Sequence, residues 1–317
     1  MHIVLLNILL IAFLFVFFYF LGKSAELIVI NTRRLGRKIG LDMYFLGLII
    51  GLFTTLPEFT VGLNSIINNI EEVSFGNLFG GTIVVLGLVL GMNAVLNKKI
   101  KTNGHGNNFI FILLYLLVPI LLGLDSQFGI IDGSILIIMY LFLMYRLYKT
   151  EKDETEVKQV THVKKKIYMN LFWIITGVTG LIIFSTLIVR TTELVLSEVG
   201  ISTFVVGTII FALGTNLPEI SISLKSLQNH TKELSYSSLL GSAAANPFII
   251  GLMSFIQPLS FEIGTSYFMM ATFSIILFVV LYFFYRSGNI FSRKEGIVLI
   301  WIYILFVSFE ILSQVYH

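Results

Sequence analysis

The chain has 317 residues, of which 56% are hydrophobic and 12% charged, with a formal net charge of +3. Soluble domains carry about 25% charged residues, so this composition excludes one and predicts a polytopic membrane protein. The chain has no cysteine, which excludes disulfides and thiolate metal sites, and its five scattered histidines show no zinc-ligand spacing. We expect no nucleic-acid partner and no bound cofactor.

Apolar segments long enough to cross a bilayer follow one another along the chain. A helix rises about 1.5 Å per residue and must span about 30 Å of hydrocarbon. The first segment is predicted to be a retained span, because no basic residue precedes it and no small-residue cleavage site follows it. We predict an all-α fold of ten transmembrane helices, the fourth of them short, at residues 4–31, 42–68, 74–96, 108–123, 128–147, 168–192, 202–228, 235–256, 266–285 and 296–314.

The positions of lysine and arginine test this count, because short cytoplasmic loops retain these residues. Nineteen of the 21 fall at or beside alternate connections, which fits ten spans with both termini outside. Lys23 and Arg190 are the exceptions, and we expect them to snorkel or to form pairs. Because the sequence shows no targeting peptide, we expect a prokaryotic cell membrane.

One long polar segment, KTEKDETEVKQVTHVKKK at residues 149–166, divides the spans into five and five. Its mixed charge is typical of a solvated linker. We therefore predict a first five-helix repeat at residues 1–148, a cytoplasmic linker at 149–167 and a second five-helix repeat at 168–317.

The two halves share sequence at a fixed offset of 161 residues. An ungapped stretch of 38 residues, starting at Thr54 and at Thr215, has eleven identical pairs. The pairs include a proline and a glutamate, which chance similarity between apolar helices would not favour. Because each half has an odd number of spans, the two copies must enter the membrane from opposite sides. The sequence thus predicts inverted-topology repeats, which build secondary transporters with a binding site near the membrane midplane.

The most unusual residues of both repeats lie in the motifs TTLPE at 54–58 and TNLPE at 215–219. Proline has no backbone N–H, so Pro57 and Pro218 leave carbonyls near the preceding threonines without helical partners. In a bilayer such carbonyls are tolerated only where protein or a cavity satisfies them. A metal ion is a suitable partner for them.

A glutamate follows each proline, and we expect Glu58 and Glu219 to lie close together near the pseudo-two-fold axis. A divalent cation would neutralise both charges, and two carboxylates with threonine carbonyls offer the hard oxygens that calcium prefers. Without a cation the pair would take up protons as a coupled unit. In either case the site should not cross the membrane empty and charged, which is the physical basis of obligatory exchange.

Small and polar residues follow each motif, in FGNLFGGT at 75–82 and YSSLLGSAAANP at 236–247, and small residues allow helices to pack closely. Ser242 and Asn246 are four residues apart, on one helical face. They either add ligands or join helices. The candidate metal ligands are Thr54, Thr55, Glu58, Thr215, Asn216, Glu219, Ser242 and Asn246.

Both motifs, with the small residues after them, resemble the two alpha-repeats of the cation/calcium antiporter superfamily, specifically of the sodium/calcium exchanger type. The likeness extends over nearly the whole chain. The residues that carry it are FTTLPE at 53–58 with Gly76, Asn77 and Gly80 in the first repeat, and GTNLPE at 214–219 with Gly241, Ser242 and Asn246 in the second.

This resemblance implies a ten-helix inverted-repeat exchanger in which Glu58 and Glu219 bind calcium and sodium alternately. It also implies that the two motif threonines give backbone oxygens to calcium. Ser242 and Asn246 would line the sodium and central positions.

The first repeat departs most from the family pattern. Gly81 and Val85 replace a serine and an asparagine, and Phe53 replaces a glycine. In the second repeat, Asn216 and Ser238 replace a serine and an asparagine. The calcium ligands are retained, but at least one sodium position loses its side-chain oxygen. Both repeats also lack the glutamate of the GNxxE signature that is usual in the proton-coupled branch.

We therefore expect a secondary-active antiporter that exchanges calcium, or a related cation, for sodium by alternating access. Proton-coupled or altered-selectivity exchange is the first alternative, and a channel or non-transporting paralogue is the second. A membrane enzyme is disfavoured because the spans have no cysteine, no histidine beside serine or threonine, and no aspartate pair. The expected partners are inorganic cations and the lipid bilayer, and the sequence fixes no oligomeric state.

Overall fold

The computed structural model describes residues 2–38, 51–97, 99–101, 106–152, 167–199, 202–220, 232–286 and 290–315. These residues form ten helices. Short helical segments at 51–54 and 217–220 adjoin α2 and α7, and a 3₁₀ turn at Gly123–Asp125 follows α4. The helices are α1 (His2–Lys38), α2 (Leu56–Ile67), α3 (Glu71–Asn97), α4 (Gly106–Leu122), α5 (Ile130–Lys152), α6 (Ile167–Val199), α7 (Thr203–Thr215), α8 (Lys232–Ile256), α9 (Thr265–Arg286) and α10 (Arg293–Val315).

The helices confirm the all-α polytopic membrane fold. Seven of those described are long and apolar enough to cross a membrane, namely α1, α3, α5, α6, α8, α9 and α10, and α4 and α7 are shorter apolar helices. The predicted second and seventh spans are described only in part, because residues 42–50 and 221–228 lie outside the described residues.

Some predicted boundaries were wrong. α1 continues to Lys38 and α6 to Val199, both beyond the predicted ends at 31 and 192. Hydropathy marks where a chain leaves the hydrocarbon, whereas a helix continues as long as each residue adds a backbone hydrogen bond. α5 also extends to Lys152, into the predicted linker, of which residues 153–166 lie outside the described residues. Lys23 is paired as expected, with Nζ 2.9 Å from Oε2 of Glu26.

Helices α3 and α8 are the most buried of the long apolar helices that the structure describes, and about four-fifths of each apolar span is buried. α5 and α6 instead leave most of their apolar side chains at least partly exposed, as lipid-facing helices do. α3 and α7 approach each other closely at Gly76 and Gly207, where a Cβ on either glycine would lie 2.5 Å from a backbone oxygen of the other helix. Only residues without a side chain permit this contact.

Two short strand pairs join the halves of the chain. β1 (Lys99–Lys101) pairs antiparallel with β4 (Ile290–Ser292), and β2 (Gln127–Phe128) pairs antiparallel with β3 (Leu259–Ser260). Each pair combines one strand of the first half with one of the second. The strand pairs therefore hold the two predicted repeats together outside the central site.

Candidate cation-binding site

The helix breaks in the same way at both motifs. Thr55 (φ −84°, ψ 3°) separates the segment at 51–54 from α2, and Asn216 (φ −86°, ψ 11°) separates α7 from the segment at 217–220. In each case the chain becomes helical again at once, because Phe59 N–H donates to the Thr55 carbonyl at 3.0 Å and Ile220 N–H donates to the Asn216 carbonyl at 3.2 Å. The proline after each break lacks the donor that would continue the first helix.

Each glutamate lies in the first turn after its break and is fully enclosed. Glu58 is 0% exposed and Glu219 is 1% exposed. Their carboxylates are near enough to repel one another, and no basic side chain of the described residues accompanies either of them. Two adjacent buried carboxylates without a counter-charge are stable only if a cation or protons neutralise them.

The two motifs are interlocked. The Thr215 side chain of the second repeat lies beside Glu58 of the first, and the Thr54 side chain of the first lies beside Glu219 of the second. The Thr54 hydroxyl donates to the Gly51 carbonyl at 2.8 Å, and the Thr215 hydroxyl lies 3.0 Å from Oδ1 of Asn77. Both repeats therefore contribute to the surroundings of each carboxylate.

Helix α8 supplies two more of the predicted residues. The Ser242 hydroxyl donates to Oε1 of Glu219 at 2.8 Å. Nδ2 of Asn246 donates to the Thr82 hydroxyl at 3.1 Å, which links α8 to α3.

The two residues at the helix breaks, Asn216 and Thr55, bond to the turn before them. Nδ2 of Asn216 donates to the Ala212 carbonyl one turn earlier, at 2.8 Å. Thr55 is buried as well, but its hydroxyl donates to the Leu52 carbonyl at 2.7 Å.

Several buried oxygens of this region have no hydrogen-bond donor: both oxygens of Glu58, Oε2 of Glu219, Oδ1 of Asn216 and Oδ1 of Asn246. A buried acceptor without a partner costs about 1–3 kcal/mol, and more if it is charged. Five such oxygens in one region are too many for ordinary packing, because native proteins leave few buried groups unpaired. Carboxylate and amide oxygens are the hard ligands that calcium prefers.

Asn77, Gly81 and Thr82 were not among the predicted candidate ligands, although the segment that contains them was singled out, and the structure brings all three to this region. Asn77 meets Thr215, Thr82 meets Asn246, and Gly81 lies beneath the amides of Asn216 and Asn246. All three belong to FGNLFGGT at 75–82, which lies as far after the first motif as YSSLLGSA at 236–243 lies after the second. Their positions after the motif could be read from the sequence. Their contacts could not, because the residues that they meet belong to the other repeat.

Comparisons with known proteins show the family and the relatives that this chain is similar to. The family model described as sodium/calcium exchanger protein matches residues 9–149 and 169–312. The chain is 25% identical over 287 residues to an uncharacterized membrane protein of Methanocaldococcus jannaschii, covering 90% of this chain and 92% of that protein. It is 21% identical over 337 residues to the sodium/calcium exchanger MaX1 of Methanosarcina acetivorans, covering 91% and 94%.

Solved structures show the same fold. The sodium-calcium exchanger NCX_Mj, soaked with 10 mM Na⁺ and 10 mM Sr²⁺, has a TM-score of 0.70 and 22% sequence identity to this chain. The alignment covers 95% of this chain and 98% of that structure.

Proposed function

The chain belongs to the sodium/calcium exchanger protein family and is a membrane cation antiporter, and from this premise we propose that it exchanges calcium, or a related cation, for sodium at the site between Glu58 and Glu219. The observation that carries this proposal is the group of five unpaired buried oxygens, three on the two adjacent carboxylates and two on the amides of Asn216 and Asn246. No neutral ligand would satisfy all five and also cancel two negative charges.

The charge of the site explains why transport would be an exchange. One calcium ion, or two monovalent ions, neutralises the two carboxylates, whereas an empty site carries both charges. Moving buried charge through the bilayer is unfavourable, so the loaded forms change their membrane-facing side more readily than the empty one. Sites between inverted repeats that face each side in turn provide such a mechanism.

Calcium is the favoured substrate because the site has many hard oxygen ligands, both carboxylate and amide. The carboxylates give up to four oxygens, and the amides of Asn216 and Asn246 add neutral ones. Calcium accepts about six to eight oxygen ligands in flexible geometry. Backbone oxygens of Thr54 and Thr215 would complete the set, because the hydroxyls of both threonines already have partners.

Orientation follows from charge. Both termini would lie outside, with the linker after α5 in the cytoplasm, because the basic residues cluster at alternate connections. The two five-helix repeats would be residues 1–148 and 168–317, and the lengths of α5 and α6 leave fewer than twenty residues between them.

The decisive experiment is calcium-45 uptake into proteoliposomes driven by an outward sodium gradient, with a proton gradient as a parallel arm. Glu219→Gln removes one ligand charge, and Glu310→Gln is the matched control. Glu310 is also a fully buried glutamate with unpaired oxygens, but it lies in α10, outside the site. Sodium-driven uptake that is lost in Glu219→Gln and retained in Glu310→Gln is the expected result.

Two other results would change the conclusion. Uptake driven only by protons would indicate proton-coupled exchange, which the missing side-chain oxygens at Gly81 and Val85 favour over the remaining alternatives. No gradient-dependent uptake in either arm, with folded protein, would overturn calcium exchange and leave another cation or a non-transporting paralogue.

A further inference from the structure

The two repeats contribute unequally to the site. At the repeat offset, Gly81 corresponds to Ser242, Val85 to Asn246 and Thr55 to Asn216. Ser242 donates to Glu219, but a glycine has no side chain with which to donate to Glu58. Val85 is fully buried and offers no oxygen at all.

Gly81 is covered by side chains of the second repeat. A Cβ at Gly81 would lie 3.2 Å from Nδ2 of Asn216 and 3.2 Å from Nδ2 of Asn246. Ordinary van der Waals contact begins at 3.4 Å, so a Cβ at Gly81 would require both amides to move by a few tenths of an ångström, and a longer side chain would crowd them further. The first repeat therefore lacks a side chain at the position where the second repeat has one.

Hydrogen bonds fix the orientation of these amides. Nδ2 of Asn216 is held by the Ala212 carbonyl and Nδ2 of Asn246 by the Thr82 hydroxyl. The oxygen of each amide is buried and has no donor. Both amides thus keep a free acceptor oxygen inside the protein.

We propose that Gly81 determines the monovalent-ion selectivity of the site, because its missing side chain admits the Asn216 and Asn246 amides from the opposite repeat. This inference rests on the proposed exchange function. It assigns the unpaired neutral oxygens of the site to Asn216 and Asn246 of the second repeat and makes Gly81 and Asn216 an interdependent pair.

Sodium and calcium should depend on the amides of Asn216 and Asn246 to different degrees. A divalent cation interacts with the two carboxylates with twice the charge of a monovalent one. Neutral amide oxygens therefore supply a larger share of the total attraction for the monovalent ion. Displacing them should weaken sodium binding more than calcium binding.

The test exchanges the residue types between repeats. Gly81→Ser introduces the residue found at 242, and Asn216→Thr introduces the residue found at 55. Gly81→Ser should crowd the amides, and Asn216→Thr should remove one of them. Each substitution alone should therefore weaken sodium competition against bound calcium-45 about tenfold. The affinity for calcium should change less than about threefold. In the double variant the smaller threonine should make room, and we expect the introduced serine hydroxyl to donate to Glu58 as Ser242 donates to Glu219. Sodium competition should then recover to within about threefold of the wild type.

Gly264→Ser is the control, because a Cβ at Gly264 would meet no atom within 4 Å. Calcium binding by each variant shows that it is folded. Additive losses in the double variant, or unchanged sodium competition in Gly81→Ser, would overturn this inference alone. Absence of calcium binding by the wild-type protein would overturn the exchange function itself, and the inference with it.

Discussion

Ser242 donates a hydrogen bond of 2.8 Å to Oε1 of Glu219, whereas Glu58 receives no such bond from any residue that the structure describes. The two carboxylates of the candidate site therefore differ in their hydrogen bonding. Glu219 retains one unpaired oxygen, whereas both oxygens of Glu58 lack a donor. The repeat is symmetric in its motif but not in the hydrogen bonds around it. In the proposed site, Glu58 would therefore depend more completely on a bound cation than Glu219 would.

Ser242→Ala should destabilise the cation-free protein more than the cation-bound protein. Loss of a hydrogen bond to a charged group typically costs about 1.5–3 kcal/mol, and a bound cation can replace the missing donor. The melting temperature of the detergent-purified variant, measured in chelator and in saturating calcium, checks this. Ser254→Ala is the control on the same helix, because Ser254 donates to the Ile250 carbonyl away from the site and should lose the same amount in both conditions. Equal losses for Ser242→Ala in both conditions would count against the site.

Calcium should stabilise the wild-type protein, because it binds the folded site and relieves the repulsion between Glu58 and Glu219. Saturation at about 100 times the dissociation constant corresponds to about 2.7 kcal/mol. Glu58→Gln should abolish this stabilisation, and its chelated form should melt at or above the temperature of the chelated wild type, since one unpaired charge is gone. Differential scanning fluorimetry with and without chelator measures both effects. A chelated Glu58→Gln protein that melts well below the chelated wild type would show that the charge is not a source of strain.

The contact between α3 and α7 should not tolerate even a methyl group. In Gly76→Ala the new Cβ would lie 2.5 Å from the Phe204 carbonyl oxygen, so the helices must separate. Overpacking of this kind costs about 1–3 kcal/mol, and here the atom in contact is backbone. Size-exclusion profiles and melting curves of Gly76→Ala and Gly264→Ala provide the comparison. We expect loss of folded protein or a markedly lower melting temperature only for Gly76→Ala, and equal behaviour of the two would contradict the observed packing.

The predicted orientation can be tested without removing any native residue, because the chain has no cysteine. His2→Cys should react with an impermeant maleimide in intact cells, and Lys158→Cys, in the linker, should react only after permeabilisation. The basic connections are expected to stay in the cytoplasm. The cysteine-free parent is the blank. Labelling of Lys158→Cys in intact cells would reverse the assigned orientation.

Much of the fold was predictable because its determinants are local. Apolar runs predicted the spans, and a five-and-five division with a repeated proline and glutamate pointed to a two-carboxylate site. Backbone groups in a bilayer must be satisfied within the helix, so hydropathy and helix coincide over most of each span. The predicted ends of α1 and α6 were wrong because hydropathy does not determine where a helix ends once the chain has left the hydrocarbon.

The sequence by itself determined which residues are costly in a membrane, and hence where a site would lie. Only the tertiary structure decided which residues meet there: Thr215 beside Glu58, Asn77 beside Thr215, and two amides over Gly81. Each of these contacts crosses from one repeat to the other, between positions more than 100 residues apart. Such contacts depend on how closely helices approach at glycines such as Gly76 and Gly207, and that distance is set by the packing of the whole bundle.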